Sequence, residues 1–137
     1  MQLLPRFYTS KYVIILLPLI VYLGHIVYKK IFGDDSFQIY FIDKIFHIFG
    51  GIVVSISFSG ILWNLSRMNI IILKDKIVYT LLVYGLLSFV IIIWEIYEYI
   101  FLYPNIHMTY DDLVLDMVCG LVGGIISLVF LIKIKYH

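Results

Sequence analysis

Four long apolar stretches, separated by short polar segments, make up most of this chain. They cover about residues 12–28, 45–65, 77–103 and 113–134. A helix needs about 20 mainly apolar residues to cross the hydrocarbon core of a bilayer, and each stretch reaches or approaches that length. The pattern predicts an all-α fold, with a polytopic four-transmembrane-helix bundle that forms a single membrane domain over residues 1–137.

The first stretch is the shortest, and it allows a second interpretation. It contains Pro18 and His25, and a cleaved signal peptide would also present an apolar run near the start of a chain. The run is long for the apolar part of a signal peptide, however, and no small-residue cleavage motif follows it. Because proline is tolerated in membrane helices, the sequence favours a retained first helix.

The connections between the stretches are short, which argues against a second domain. Residues 31–44 combine a polar turn with an aromatic run, a pattern that favours a segment lying at the membrane interface. In that interpretation Asp43 caps the second helix. Thr109 and Asp112 form a T-x-x-D pattern, which is typical of a capping box before the fourth helix. Aromatic residues near the end of the third stretch, Trp94 among them, favour an interfacial belt.

Composition supports the membrane class and excludes others. The chain is 63% hydrophobic and 14% charged, whereas soluble domains are roughly 25% charged. A net charge of +1 gives no dense basic patch, so nucleic acid is not an expected partner. Membrane lipid is the expected partner. Cys119 is the single cysteine, which excludes an intramolecular disulfide and a cysteine-based metal site.

Basic residues are distributed unequally between the two ends of the predicted helices. Seven lie on the side of the termini and three on the opposite side. The seven are Arg6, Lys11, Arg67, Lys74, Lys76, Lys133 and Lys135, and the three are Lys29, Lys30 and Lys44. Cytoplasmic loops carry the excess of Lys and Arg. The sequence therefore predicts a multi-pass protein of the cell membrane with both termini in the cytoplasm.

Ionisable residues gather at the opposite, outer end of the predicted bundle. Three pairs have spacings of three or four residues, and they are Asp43 with His47, Glu95 with Glu98, and Asp112 with Asp116. Residues at these spacings share one face of a helix. Because each pair lies near the outer end of its helix, the sequence predicts that all six side chains converge on one site. Carboxylates with an imidazole suit a divalent metal ion, which is the candidate cofactor.

Each of these residues also has a structural interpretation. Asp43 and Asp112 fit helix caps, and His47 alone would fit a hydrogen bond between helices. Carboxylates deeper in apolar helices are costly unless they are paired, protonated or facing water. This cost favours a functional role for three residues, which are Glu95, Glu98 and Asp116.

Three motifs occur in order on the predicted second, third and fourth helices. They are D-K-x-x-H-x-x-x-G from Asp43, E-x-x-E from Glu95, and D-x-x-x-D-M from Asp112 with Gly123 after it. With these motifs the chain resembles the YjdF-like family of small inner-membrane proteins over residues 43–124. The resemblance implies a membrane architecture and the location of a site rather than an activity. The chain is also similar to the VanZ-like family, which is associated with the cell envelope, but it has Asp116 where that pattern has Asn.

The sequence leaves three functions open. The first and most favoured is a structural or accessory membrane protein, in which the polar residues form a hydrogen-bond network between helices. The second is the binding or transport of a cation, a proton or a cationic headgroup. The third is a metal-dependent reaction on a lipid-linked or envelope substrate.

Glycines on two of the predicted helices indicate close helix packing. Gly120 and Gly124 form a G-x-x-x-G pair, and Gly50 and Gly51 lie on the second helix. Small residues let helix backbones approach each other in membranes. Such faces would allow either packing within the chain or a homo-oligomer.

Overall fold

The structure is a computed structural model that describes residues 10–32, 37–102 and 110–136, and these contain helices and no strand. Helix α1 spans Lys11–Phe32, α2 spans Phe37–Arg67, α3 spans Lys76–Tyr97 and α4 spans Tyr110–Tyr136. A π-helical turn, Glu98–Leu102, continues α3. The predicted all-α fold is therefore confirmed for the described residues.

Three of the helical segments are long and apolar enough to cross a membrane. They are Phe41–Arg67, Lys76–Phe101 and Tyr110–Lys133, whereas the apolar part of α1, Tyr12–Tyr28, is shorter. Large apolar side chains also cover the outward faces, and Ile15, Phe89 and Phe130 are 64%, 63% and 64% exposed. A continuous apolar surface of this kind is expected against lipid rather than water. Length, composition and surface therefore agree with the membrane class for three spans.

Helix α2 begins earlier than the sequence predicts. It starts at Phe37, so Asp43 lies inside the helix and does not cap it. Residues 37–44 therefore continue the second helix and do not form a separate segment, their position at the membrane interface stays a prediction, and residues 33–36 lie outside the described residues. The physical reason is that a formed helix gains one hydrogen bond for each residue added. The aromatic run before Asp43 contains nothing that would stop this extension.

Two local caps determine how α3 returns along α2. Asn69 adopts a left-handed conformation with φ 57°, and backbone hydrogen bonds around it close α2 in a Schellman motif. Asp75 caps α3 by accepting hydrogen bonds from two backbone N–H groups, at 2.6 and 3.0 Å. The helices therefore run antiparallel, and Glu95 near the end of α3 returns to the level of His47 near the start of α2.

Helix α2 is the central helix, and it packs against α1, α3 and α4. Its contact with α4 is close because glycines meet backbone atoms. A Cβ on Gly51 would lie 1.9 Å from the carbonyl oxygen of Gly120, and one on Gly123 would lie 2.0 Å from that of Ile48. Close helix packing through glycine is thus confirmed within one chain. The homo-oligomer stays a prediction, and these glycines already serve an internal contact.

A four-residue period places both the apolar core and the charged residues inside the bundle. On α3 the buried positions are Tyr79, Val83, Leu87, Ile91 and Glu95. Leu62 of α2 and Leu128 of α4 pack on the apolar part of this stripe. Side chains four residues apart lie on one helix face, so the stripe that forms the core also buries Glu95. The bundle therefore has an apolar end, and a polar end where α2 and α4 begin.

Candidate functional site

Among the described residues, eight ionisable side chains from four helices meet at the polar end of the bundle. They are His25, Asp43, Lys44, His47, Glu95, Glu98, Asp112 and Asp116. Asp112 has a side chain that is 23% exposed, and the other seven residues are at most 9% exposed. A buried charge is costly unless it is paired and hydrogen-bonded. The contacts within this polar cluster therefore determine what it can do.

Lys44 connects α2 to α4. Its Nζ donates hydrogen bonds to Asp112 Oδ1 and, at 2.6 Å, to Asp116 Oδ1. The Asp116 side chain is fully buried. Hydrogen bonds between two charged groups are roughly twice as strong as neutral ones. The Lys44 bridge therefore holds the first turns of α4 in register with α2.

His25 connects α1 to α2. Its Nε2 lies 2.6 Å from Asp43 Oδ1, and its Nδ1 lies 3.8 Å from Glu98 Oε1. The imidazole also stacks on Phe46, with ring centroids 5.3 Å apart. These contacts bring the first helix into the polar cluster, although the motifs predicted for the site begin only at the second helix.

His47 lies between the other groups of the cluster. Its Nδ1 is 3.1 Å from Glu95 Oε1, and its Nε2 is 3.5 Å from Asp116 Oδ1 and 3.9 Å from Asp43 Oδ2. The imidazole of α2 thus touches a carboxylate from α3 and another from α4. The predicted convergence of the motifs is confirmed by these distances.

All six residues that the sequence predicts as ligands belong to the polar cluster. Asp43 contacts His25 and is not a helix cap. Asp112 lies in the first turn of α4 and contacts Lys44, while its predicted capping partner, Thr109, lies outside the described residues. A metal-binding role for the six stays a prediction.

Two members of the cluster, His25 and Lys44, are missing from the predicted set. His25 carries a signal that the sequence does contain, since an ionisable residue inside an apolar helix is by default a functional candidate. Lys44 is part of the D-K-x-x-H motif itself. A lysine near a helix end usually extends into water, so the sequence does not show that the ammonium group of Lys44 turns inward to two carboxylates.

Within the described part of the chain, two groups of three residues have ligand atoms within 4.8 Å of one another. The groups are His25, Asp43 and His47, and His47, Glu95 and Glu98. In the first group His25 and Asp43 already contact each other at 2.6 Å. In the second, Glu95 Oε2 is buried and has no hydrogen-bond partner among the described residues. The second group therefore has a buried ligand atom ready for a further partner.

Among the described residues of the cluster, carboxylates outnumber basic groups. Five carboxylates lie beside one lysine and two histidines. Uncompensated buried charge costs several kcal/mol per ion, in order of magnitude. Bound cations or protons are what remove such an excess.

A cavity of about 240 Å³ adjoins the second group. Its walls come mainly from α1, α2 and α3 and are mostly apolar, with His25, His47 and Glu95 at the end nearer the cluster. Trp94 lines this cavity and meets Tyr22 of α1 edge to face, with ring centroids 5.1 Å apart. The predicted place of Trp94 in an interfacial belt stays a prediction, and in the described structure Trp94 lines this cavity.

No family model matches this chain, and neither a curated protein nor a solved structure is significantly similar to it. The resemblances to the YjdF-like and VanZ-like families stay predictions.

Proposed function

We propose that this membrane protein binds a divalent cation at its polar end, through His47, Glu95 and Glu98. The observation that carries the proposal is that ligand atoms of these three buried residues lie within 4.8 Å of one another, and that Glu95 Oε2 has no hydrogen-bond partner among the described residues. One nitrogen ligand with two carboxylates suits borderline ions such as Zn²⁺, Mn²⁺ or Fe²⁺. Three protein ligands leave further coordination positions open, as in metal sites that bind a substrate.

The surroundings of His47 support this assignment. A metal-binding histidine usually donates its second ring N–H to a carboxylate, which orients the imidazole. Nδ1 of His47 is 3.1 Å from Glu95, while Nε2 is 3.5 Å from Asp116 on the other side. One ring nitrogen thus lies beside the proposed ligands and the other beside an orienting carboxylate.

A structural role is the second candidate, and the Lys44 bridge favours it. Lys44 with Asp116 connects α4 to α2, and His25 with Asp43 connects α1 to α2. We assign these two contacts to holding the helices together. The cation then occupies the part of the cluster that they do not neutralise.

The proposal includes a fourth span and an orientation. The apolar part of α1, Tyr12–Tyr28, then crosses the membrane, and the seven-to-three distribution of basic residues places both termini in the cytoplasm. Reporter fusions at His137 and within the loop over residues 66–76 should both report cytoplasm. An external signal from either fusion would overturn the orientation.

A cation titration with matched variants tests the proposed site. Glu95→Gln removes a ligand charge inside the cluster, while Asp111→Asn makes the same chemical change at an exposed position of α4. A ligand whose free concentration is 100 times its Kd stabilises the protein that it binds by about 2.7 kcal/mol. We expect added Zn²⁺ or Mn²⁺ to raise the Tm of the wild type and of Asp111→Asn but not that of Glu95→Gln.

The opposite result would support the structural candidate. In that case Glu95→Gln lowers the Tm equally with and without added ions, and purified wild-type protein contains no stoichiometric metal.

A further inference from the structure

The cavity beside the cluster has a polar end and an apolar body. His47 and Glu95 lie at its polar end. Its apolar walls extend along three helices to Pro18, Val54 and Val90. From His47 to Val54 the distance along the helix axis is about 10 Å at 1.5 Å per residue. The cavity therefore runs from the polar cluster toward the middle of the bundle.

This direction matches the arrangement of a lipid in a bilayer. The polar cluster lies near one end of the membrane-spanning segments, while Val54 and Val90 lie well inside them. In a membrane, a polar headgroup occupies the interfacial region and its chain points to the centre. A ligand with a polar headgroup and an apolar chain would place its headgroup at the polar end of the cavity and its chain against the apolar walls, so neither part of the ligand would be in an unfavourable environment.

The helices leave a gap where such a ligand would lie. Among the described helices, the backbone of α1 packs on α2 and not on α3. Contacts between α1 and α3 occur at the polar end, where Tyr22 meets Trp94 and His25 approaches Glu98. Below these contacts α2 supplies the floor of the cavity. A Cβ added to Gly50 in this floor would have no atom within 4 Å.

The size of the cavity restricts the ligand. Drug-sized pockets are roughly 300–1,000 Å³, and an apolar cavity of about 150 Å³ holds one benzene molecule. At about 240 Å³, this cavity holds part of one hydrocarbon chain. It is too small to enclose both chains of a phospholipid.

We propose that the cavity binds a single acyl or prenyl chain whose anionic headgroup reaches the cation held by His47, Glu95 and Glu98. The headgroup part rests on the proposed function, and the chain part does not. Glu95 lines the polar end of the cavity, and its buried carboxylate oxygen Oε2 has no hydrogen-bond partner among the described residues. A fatty-acid carboxylate and the phosphate of a monoacyl lipid share the required headgroup chemistry.

Quenching of Trp94 fluorescence tests the chain site. The probes are dibromostearate and a monoacyl phosphate with a brominated chain, added to wild-type protein in detergent micelles with Zn²⁺ or with a chelator. Bromine quenches tryptophan at short range, so a bound chain gives quenching that saturates and that Trp94→Phe removes. Nonspecific partitioning into the micelle gives quenching that rises without saturation. The headgroup that saturates at lower concentration identifies which of the two sources the site prefers.

A matched pair of glycine variants makes the test specific. Gly50→Leu fills the cavity, while Gly85→Leu adds the same side chain on an exposed face of α3. A Cβ added at either position would have no atom within 4 Å, so neither change creates a clash at Cβ. Displacing even two methylene groups weakens binding by about tenfold or more. We expect this loss in Gly50→Leu and wild-type affinity in Gly85→Leu. Val54→Phe fills the same cavity from a second position if Gly50→Leu does not fold.

The outcomes separate this inference from the proposed function. Unsaturable quenching with both probes, or saturable quenching that survives both cavity-filling variants, would overturn the chain site whatever the metal content. Saturable quenching that is the same with Zn²⁺ and chelator would uphold the chain site and overturn the headgroup contact. A wild-type protein that binds Zn²⁺ but no probe would keep the proposed function and refute the inference.

Discussion

Gly51→Ala should force α2 and α4 apart, because the added methyl group meets backbone rather than a flexible side chain. Its carbon would lie 1.9 Å from Gly120 O, 2.8 Å from Gly120 C and 3.1 Å from Gly124 N. Favourable contacts between carbon atoms begin near about 3.5 Å. Since the backbone of a helix cannot rotate away locally, the two helices must separate by roughly 1.5 Å.

The expected loss of stability follows from two opposing effects. Overpacking a well-packed interior costs typically about 1–3 kcal/mol. The separation also stretches the 2.6 Å hydrogen bond from Lys44 to Asp116, which favours the upper part of that range. In the opposite direction, alanine has a higher helix propensity than glycine, which stabilises the helix by up to about 1 kcal/mol. We therefore expect Gly51→Ala to lower the free energy of unfolding by about 2 kcal/mol.

The neighbouring glycine supplies the control. A Cβ on Gly50 would have nothing within 4 Å, so Gly50→Ala keeps the propensity gain and creates no clash. Unfolding in mixed micelles, followed by far-UV circular dichroism, compares the two variants with the wild type. If Gly51→Ala is as stable as Gly50→Ala, the two helices do not approach as closely as described, and the register that places Lys44 beside Asp116 loses its basis.

Two further predictions concern the contacts that connect the helices. Lys44→Met should cost about 3–5 kcal/mol of stability, because fully buried Asp116 then loses the ammonium group that donates to it. Lys74→Met, at an exposed loop position, should change the stability by less than about 0.5 kcal/mol. Denaturant unfolding checks both, and a small loss in Lys44→Met would contradict the bridge. A double-mutant cycle with His25→Phe and Asp43→Leu should give a coupling energy of about 0.5–3 kcal/mol, and additive effects would show that the 2.6 Å contact does not stabilise the bundle.

The sequence predicts the helices well because each one is a continuous apolar run, and a membrane-spanning helix requires such a run. It also predicts convergence of the three motifs, since side chains four residues apart share a helix face. The start of α2 is different. A polar turn followed by an aromatic run suits both an interfacial segment and the first turns of a helix, so the pattern alone does not select Phe37 as the first residue.

Partners within the cluster are harder to predict than its members. Which carboxylate Lys44 meets depends on how α2 and α4 are rotated about their axes, and the contacts of Gly51 and Gly123 determine that rotation. Likewise, His25 reaches Asp43 only because α1 packs on α2 at this level. Hydropathy and spacing describe each helix separately, and neither contains the relative rotation of two helices.

Anomalous X-ray scattering from crystals of the purified protein shows where a bound cation lies. The data are recorded at the absorption edge of the metal that elemental analysis finds. The proposed site predicts one stoichiometric divalent ion per chain, with its anomalous peak among His47, Glu95 and Glu98, and no peak in Glu95→Gln crystals. Wild-type crystals grown with Zn²⁺ or Mn²⁺ that show no peak between these side chains would contradict it.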